Sequence, residues 1–117
     1  DIIVMVLAGT QQQTAVQELG CLWAAEIFAD RAYNDDATLV SRKREGAVIH
    51  DAAIAGPRMA QMVREGAIIA ESGKRIETAI DTICLHGDTA GALEIAKSVR
   101  AALEGDGIAI APFQGRR

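Results

Sequence analysis

Apolar residues occur along the chain as short continuous runs that alternate with stretches of helical periodicity. The first run, residues 2–7, is rich in β-branched side chains and ends at Gly9, and a second run over residues 22–28 contains one charge, Glu26. Short apolar runs bounded by turn residues are typical of strands buried on both faces of a sheet. By the same reasoning, we predict four strands, at residues 2–7, 22–28, 81–85 and 108–111.

Helical periodicity fills the intervals between these runs. Thr10 can cap a helix over residues 11–19, and Pro57 fits the first position of a helix over residues 57–65. The clearest pattern covers residues 89–103, whose apolar positions recur at helical spacing. We therefore predict three helices packed on the strands.

The remaining segments predict a hairpin and a long loop. Residues 67–71 and 75–77 flank a turn-forming Ser-Gly-Lys sequence, which favours a β-hairpin. Residues 29–47 are polar and irregular, and a loop of that length is usually functional or disordered. The resulting order, β-α-β-loop-α-hairpin-β-α-β, predicts an α/β fold with mostly parallel strands.

Composition narrows the class of protein without identifying it. The 117 residues carry a net charge of −4, and the one basic cluster, Arg42-Lys43-Arg44, is too small for a nucleic-acid footprint. We interpret it as a solvated loop, and the terminal pair Arg116-Arg117 as a frayed tail. No apolar run is long enough for a membrane span, and no signal peptide is visible. The two cysteines have no metal-like spacing, so we expect a reducing, cytoplasmic setting.

The chain opens directly on a strand-like run, with no initiator Met and no leading polar segment. A start of this kind is typical of the middle of a longer sequence. We therefore expect a fragment, a processed chain or a truncated reading frame.

One candidate site lies at the end of the second predicted strand, in the sequence Glu26-Ile27-Phe28-Ala29-Asp30-Arg31. The carboxyl ends of parallel strands face the active site in α/β folds, and strand alternation would place Glu26 and Asp30 on one side. Arg31 could hold a carboxylate or phosphate in its planar fork. The alternative is an Asp30–Arg31 ion pair that only organises the loop.

A second candidate site is His86-Gly87-Asp88, after the strand predicted at residues 81–85. His86 is suited to proton transfer near neutral pH, Gly87 would permit a sharp turn, and Asp88 could orient the imidazole. The alternative for Asp88 is a cap on the following helix. His50 is interpreted as a capping or surface histidine, and the sequence contains no P-loop or dinucleotide fingerprint.

These segments resemble the LamB/YcsF family. The run EIFADRAYNDDATLVSRKREGAVIHD is similar to the family pattern E-x-F-A-D-R-x-Y followed by L-V-x-R and G-A-x-I, and DTICLHGD is similar to D-T-x-C-x-H-G-D. The opening AGTQQQTAVQELG also fits, so the resemblance covers nearly the whole chain. Ser41 and Ala37 depart from the residues common in the family, within the loop only.

The resemblance implies a distorted seven-stranded β/α barrel, similar to polysaccharide deacetylases, of about twice this length. Residues 1–117 would be the C-terminal portion of that single domain, without its N-terminal half and that half's histidine-rich motifs. The implied function is that of the A subunit of ATP-dependent 5-oxoprolinase, also known for lactam utilization. This hydrolase opens 5-oxo-L-proline, a cyclic amide, to L-glutamate together with the partner B and C subunits, which would use the ATP.

The matching positions imply a set of site residues. We expect catalytic roles for Glu26, Asp30, His86 and Asp88, and substrate binding by Arg31, Tyr33, Arg42 and Gly87. No residue of this chain is expected to bind a metal, and whether a metal takes part elsewhere stays open. Two other functions also stay open: a truncated, non-catalytic or partner-binding fragment, and a metal-dependent hydrolase similar to deacetylases.

Overall fold

A computed structural model describes residues 2–117 and contains five strands and three helices. In chain order these are β1 (Val4–Leu7), α1 (Gln11–Glu18), β2 (Trp23–Phe28), α2 (Ala52–Glu65), β3 (Ala67–Ile69), β4 (Arg75–Glu77), β5 (Thr82–Cys84) and α3 (Ala92–Gly105). The α/β class is confirmed.

The central feature is a parallel sheet in the order β1-β2-β5. The predicted hairpin is also confirmed, because β3 and β4 pair antiparallel in a separate two-stranded sheet. Over residues 2–117 the parallel sheet is open and does not close into a barrel.

The two faces of β2 differ in character. Trp23, Ala25 and Ile27 are at most 2% exposed and belong to the main hydrophobic core. Glu26 and Phe28 point to the other face and are half-buried. Strand alternation therefore separates a face that packs against the helices from an open face that carries the only charge of the strand.

Helix α2 begins earlier than predicted, at Ala52, so placing its start at Pro57 was wrong. The Asp51 carboxylate accepts a hydrogen bond from the Ala53 amide and caps the helix there. Pro57 lies inside the helix, where it cannot donate a hydrogen bond to the Ala53 carbonyl, and the preceding Gly56 has no Cβ to clash with the proline ring.

Gly56 also sets the contact between α2 and α3. A Cβ atom at this position would lie 2.1 Å from Ser98 Oγ and 2.5 Å from Ser98 O. The Ser98 hydroxyl donates to Ala52 O at 2.5 Å across the same contact. Only glycine therefore permits the two helix backbones to approach this closely.

Helix α3 begins at Ala92, three residues later than predicted, with Gly91 as its N-cap in the left-handed region. Its apolar face, Ile95, Val99 and Leu103, joins the main core. Helix α1 is close to the prediction, although the Thr10 hydroxyl donates to Leu7 O and does not cap it.

The C-terminal segment differs most from the prediction, because residues 108–111 do not form a strand. They line an apolar groove of about 450 Å³ beside β5, together with Ile83 and Leu103. Further along, Arg116 pairs with Trp23 of β2, and the two backbones exchange two hydrogen bonds. The interpretation of Arg116 as a frayed tail was therefore wrong. No helix within residues 2–117 is both long and apolar enough to cross a membrane.

Candidate active site

The two candidate motifs converge at the carboxyl end of the parallel sheet. Asp30 follows β2, His86 follows β5, and His86 Nδ1 lies 2.7 Å from Asp30 Oδ2. This contact confirms the prediction that the motifs share one end of the sheet. A carboxylate on Nδ1 fixes the imidazole orientation and leaves Nε2 as the nitrogen that can accept a proton.

The surroundings of His86 leave its outer nitrogen accessible. The side chain is 28% exposed, and its ring packs 5.8 Å from the Phe28 ring, centroid to centroid. Cys84 Sγ lies 3.9 Å from Nε2. The imidazole is thus held on one side and open on the other, as proton transfer to a bound molecule requires.

Asp30 is only partly satisfied by this contact. Its side chain is 11% exposed, and its second oxygen, Oδ1, is buried without a hydrogen-bond partner among the described residues. A buried carboxylate oxygen without a donor is costly. The site therefore retains an acceptor that a water molecule or a ligand could use.

Glu26 is a second carboxylate near His86, and its catalytic role stays a prediction. It lies on the open face of β2, in register with Leu7 on β1 and Thr82 on β5. Burial raises the pKa of Glu26 above its ordinary value, and the neighbouring His86 opposes that shift. The site thus holds a carboxylate that retains its proton to higher pH than a free one.

Sequence reasoning missed Arg58, which braces the turn carrying Asp30. Its Nη1 donates to Phe28 O at 3.0 Å and to Ala29 O at 3.3 Å, and its Nη2 donates to Arg31 O at 2.5 Å. One guanidinium therefore satisfies three carbonyls at the end of β2 and just after it. Burial lowers the pKa of Arg58, an effect opposed by Tyr33 and Asp30.

Tyr33 contacts the same turn and the Arg58 guanidinium. Its side chain is 1% exposed, its hydroxyl accepts a hydrogen bond from the Phe28 amide, and the Arg58 guanidinium lies 5.7 Å from its ring centroid. Burial raises the pKa of Tyr33 to about 12. A side chain so enclosed has no free surface for a substrate, so this geometry does not support substrate binding by Tyr33.

Arg31 and Arg42 form no hydrogen bond or ion pair with Asp30 or His86 among the described residues. Arg31 is 8% exposed, its Nη2 donates to Val40 O within the loop, and its Nε is buried without a partner among the described residues, so it does not pair with Asp30. Arg42 is exposed in the loop, as are Lys43 and Arg44, which confirms the solvated interpretation of this cluster. Substrate binding by either arginine remains a prediction that no contact supports.

Gly87 and Asp88 also differ from expectation. Gly87 is outside the left-handed region, and a Cβ there would meet no atom within 4 Å, so the local backbone does not require glycine. Asp88 is exposed, Gly91 replaces it as the helix cap, and Asp30 takes the expected place beside the imidazole. The predictions that Asp88 caps α3 or orients His86 were therefore wrong. His50 is exposed, as predicted.

The side chains at this site do not form a cluster of metal ligands. Within residues 2–117, no three His, Cys, Asp or Glu side chains are grouped so that they could hold a metal ion. The groups that this part of the chain can bring to a reaction are therefore the imidazole, the two carboxylates and the neighbouring thiol.

The fold and the site together define an α/β protein of the parallel-sheet type, with a carboxylate–histidine pair and a second carboxylate at the strand ends. More particularly, the chain belongs to the LamB/YcsF family, whose profile matches residues 1–117.

Several relatives are similar over almost the whole chain. The A subunit of 5-oxoprolinase from Ruegeria pomeroyi is 65% identical over 114 residues, and its counterpart from Rhodopseudomonas palustris (strain BisB18) is 52% identical over 115 residues. These alignments cover 97% and 98% of this chain but 45% of each relative. The chain thus spans less than half the length of the curated relatives it matches.

A solved structure supports the same assignment. The crystal structure of a lactam utilization protein from Thermus thermophilus superposes with a TM-score of 0.82 at 33% sequence identity. The match covers 96% of this chain and 44% of that protein. The relatives and the solved structure therefore agree on the fold and on the extent of the match.

Proposed function

We propose that this chain is part of the A subunit of a 5-oxoprolinase, which opens 5-oxo-L-proline to L-glutamate with hydrolysis of ATP. The proposal is supported by relatives of that name at 65% and 52% identity. The observation that carries it at the level of chemistry is the 2.7 Å contact between His86 Nδ1 and Asp30 Oδ2 at the strand ends. An amide hydrolase needs such a base to remove a proton from its nucleophile.

In this proposal the three-stranded parallel sheet is a section of a distorted seven-stranded β/α barrel. The open face of β2, with Glu26 and Phe28, would then face the barrel interior. Support comes from the match to only 44% of the solved relative, which leaves more than half of that fold outside this chain. The remainder of the barrel would complete the walls of the site.

The residues have separate tasks in this mechanism. His86, held by Asp30, accepts a proton through Nε2 and later delivers it to the nitrogen that leaves the opened ring. Burial raises the pKa of Glu26 above its ordinary value, so its carboxylate binds a proton more strongly than a free one and can accept a hydrogen bond from water or from the substrate N–H. The unpartnered Asp30 Oδ1 can accept a hydrogen bond from water or from the substrate.

ATP and the partner B and C subunits enter the proposal through the reaction itself. A five-membered lactam is an unstrained, resonance-stabilised amide, so its carbonyl must be activated before a nucleophile can open the ring. We assign this ATP-dependent activation to the B and C subunits, and the opening of the activated ring to the A subunit. Such an assembly would work in the cytoplasm, where ATP is available.

A second candidate function is a non-catalytic fragment that only binds a partner. The two functions differ in whether the pair at the strand ends is needed for turnover. The family's resemblance to metal-dependent deacetylases would make a third function, which measurement of bound metal in the longer protein would test.

The test is substitution of His86 in the longer protein that carries this chain, assayed with the B and C subunits, ATP and 5-oxoproline. We expect His86→Ala to reduce glutamate formation by about 100-fold or more, the usual loss when a positioned base is removed. The matched control is His50→Ala, which removes the other, exposed histidine and should leave the rate unchanged. Equal rates in the two variants would contradict the proposed site.

A further inference from the structure

Resting on the proposed function, we propose that Cys84 is the nucleophile of the reaction and that Cys84, His86 and Asp30 form a cysteine–histidine–aspartate triad. The proposal rests on one continuous chain of contacts. Cys84 Sγ lies 3.9 Å from His86 Nε2, and His86 Nδ1 lies 2.7 Å from Asp30 Oδ2. A nucleophile next to a base that is oriented by a third group is the arrangement that nucleophilic catalysis requires.

The backbone explains why Cys84 and His86 meet. Cys84 is the last residue of β5 and lies in register with Phe28, so it belongs to the open face that also carries Glu26. His86 follows two residues later, and side chains two residues apart on an extended chain point to the same side. Cys84 is half-buried, which leaves its sulfur accessible from that face.

The electrostatic surroundings determine how the thiol would act. Burial raises the pKa of Cys84, and the neighbouring carboxylates Glu26 and Asp30 act in the same direction. The resting group is therefore a thiol and not a preformed thiolate. It becomes nucleophilic only when His86 Nε2 takes its proton at the moment of attack. Asp30 would orient the imidazole for this transfer and stabilise its charged form.

The proposed steps balance without any oxidant or reductant. A bond forms between Cys84 Sγ and the lactam carbonyl carbon while the thiol proton moves to His86 Nε2. The ring C–N bond then breaks, and the nitrogen leaves as an amine with that proton. The resulting glutamyl thioester is hydrolysed by water, whose proton passes through His86 back to the sulfur. Counted without ATP, these steps convert one lactam and one water into one glutamate.

The same scheme accounts for the need for ATP. A thioester lies above an unstrained amide in free energy, so its formation from the resting lactam is unfavourable. If ATP first phosphorylates the lactam oxygen, phosphate leaves with that oxygen after sulfur adds. One water then adds to the resulting thioimidate carbon, and the carbonyl of the thioester forms as the C–N bond breaks. With the water that hydrolyses the thioester, one lactam, one ATP and two waters give glutamate, ADP and phosphate. The energy of ATP would thus be used to reach the thioester.

The experiment compares three variants of the longer protein, assayed with the B and C subunits, ATP and 5-oxoproline. We expect Cys84→Ala to lose about 100-fold or more of the rate, and Cys84→Ser to lose nearly as much because a hydroxyl is a weaker nucleophile. The control is Cys21→Ser, which alters the other cysteine, away from the site. Thermal midpoints of all three show whether each variant is folded.

A second measurement looks for the intermediate directly. The wild-type enzyme is quenched with acid during turnover, and Cys84 is analysed by mass spectrometry for a glutamyl adduct. We expect the adduct on Cys84, and we expect it to be missing in both Cys84 variants. If folded Cys84→Ala formed glutamate within a few-fold of the wild-type rate, the assignment of Cys84 as the nucleophile would be wrong. If His86→Ala were still inactive, direct attack by water would replace it and the proposed function would stand.

Discussion

Two buried aspartates contact opposite ends of β2, and their environments differ. At the amino end, Asp81 is 3% exposed, and its Oδ2 accepts hydrogen bonds of 2.9 Å from both the Ala25 amide and Arg116 Nε. Its Oδ1 is paired with the same guanidinium. At the carboxyl end, Asp30 has one partner, His86, and a buried oxygen without a donor among the described residues.

The difference distinguishes a carboxylate that stabilises the fold from one that is free to take part in catalysis. Both carboxylate oxygens of Asp81 are filled by hydrogen bonds, and Arg116 also lies 5.5 Å from the centroid of the Trp23 ring. Asp81 therefore has no free acceptor for a ligand, and it holds the C-terminal segment against the sheet. Asp30 keeps unused capacity beside a titratable partner, which is what catalysis requires.

The largest effect that tests this comparison is expected for Asp30→Asn. Because the amide cannot hold the imidazole in the same tautomer or stabilise its charged form, we expect a loss of activity of about 1,000-fold. The thermal midpoint should not fall, since the change removes a buried charge that is only partly paired. Rates and melting curves are measured in the longer protein with its partners. A loss in Asp88→Asn, with Asp30→Asn active, would return the orienting role to Asp88.

The next effect concerns stability and is expected for Asp81→Ala. This variant removes the acceptor of the Ala25 amide and of the Arg116 guanidinium, so we expect the free energy of unfolding to fall by about 2 kcal/mol. Denaturant titration measures the change, and the rate per folded molecule should stay within a few-fold of wild type. The control is Glu104→Ala, which breaks an exposed pair with Arg100 and should cost less than about 0.5 kcal/mol. An equal fall in the free energy of unfolding in the two variants would contradict the stabilising role of Asp81.

The smallest effect is a change in thermal stability, expected for Glu26→Gln. Glu26 lies in β2 between the contacts of Asp81 and Asp30. The folded state raises the pKa of Glu26 through burial. Its protonated form therefore supports folding fully below the ordinary pKa of about 4.5, and this support is lost as pH rises through the folded-state pKa. We expect Glu26→Gln to melt slightly higher than wild type at pH 7 and at the same temperature at pH 4. A gain that is the same at both pH values would contradict the raised pKa.

The parallel core was predicted well because buried strands and amphipathic helices have periodic signals. The start of α2 was missed because a Gly-Pro pair usually ends a helix, whereas here the close approach to Ser98 requires the glycine. Residues 108–111 have the composition of a strand, but they pair with no strand and instead line the groove beside β5. Whether such a segment joins the sheet depends on tertiary packing and leaves no local pattern.

The site was predicted in part for the same physical reason. Glu26, Asp30 and His86 lie at strand ends, so topology alone brings them to one edge. Arg58 escaped notice because it resembles the exposed Arg64 of the same helix until the carbonyls it contacts are known. Asp88 was chosen over Asp30 as the partner of His86 because it is closer in sequence, whereas the fold joins residues 56 positions apart.

The contact at Gly56 also works as a spacer for the chemistry. Helix α2 carries Arg58, which fixes the turn of Asp30, and α3 follows the loop that begins at His86. The two halves of the acid–base pair are thus linked to two helices that pack together along their length and approach closely at Gly56. We expect added bulk at Gly56 to shift the two helices relative to one another, so that a position outside the pair affects its alignment.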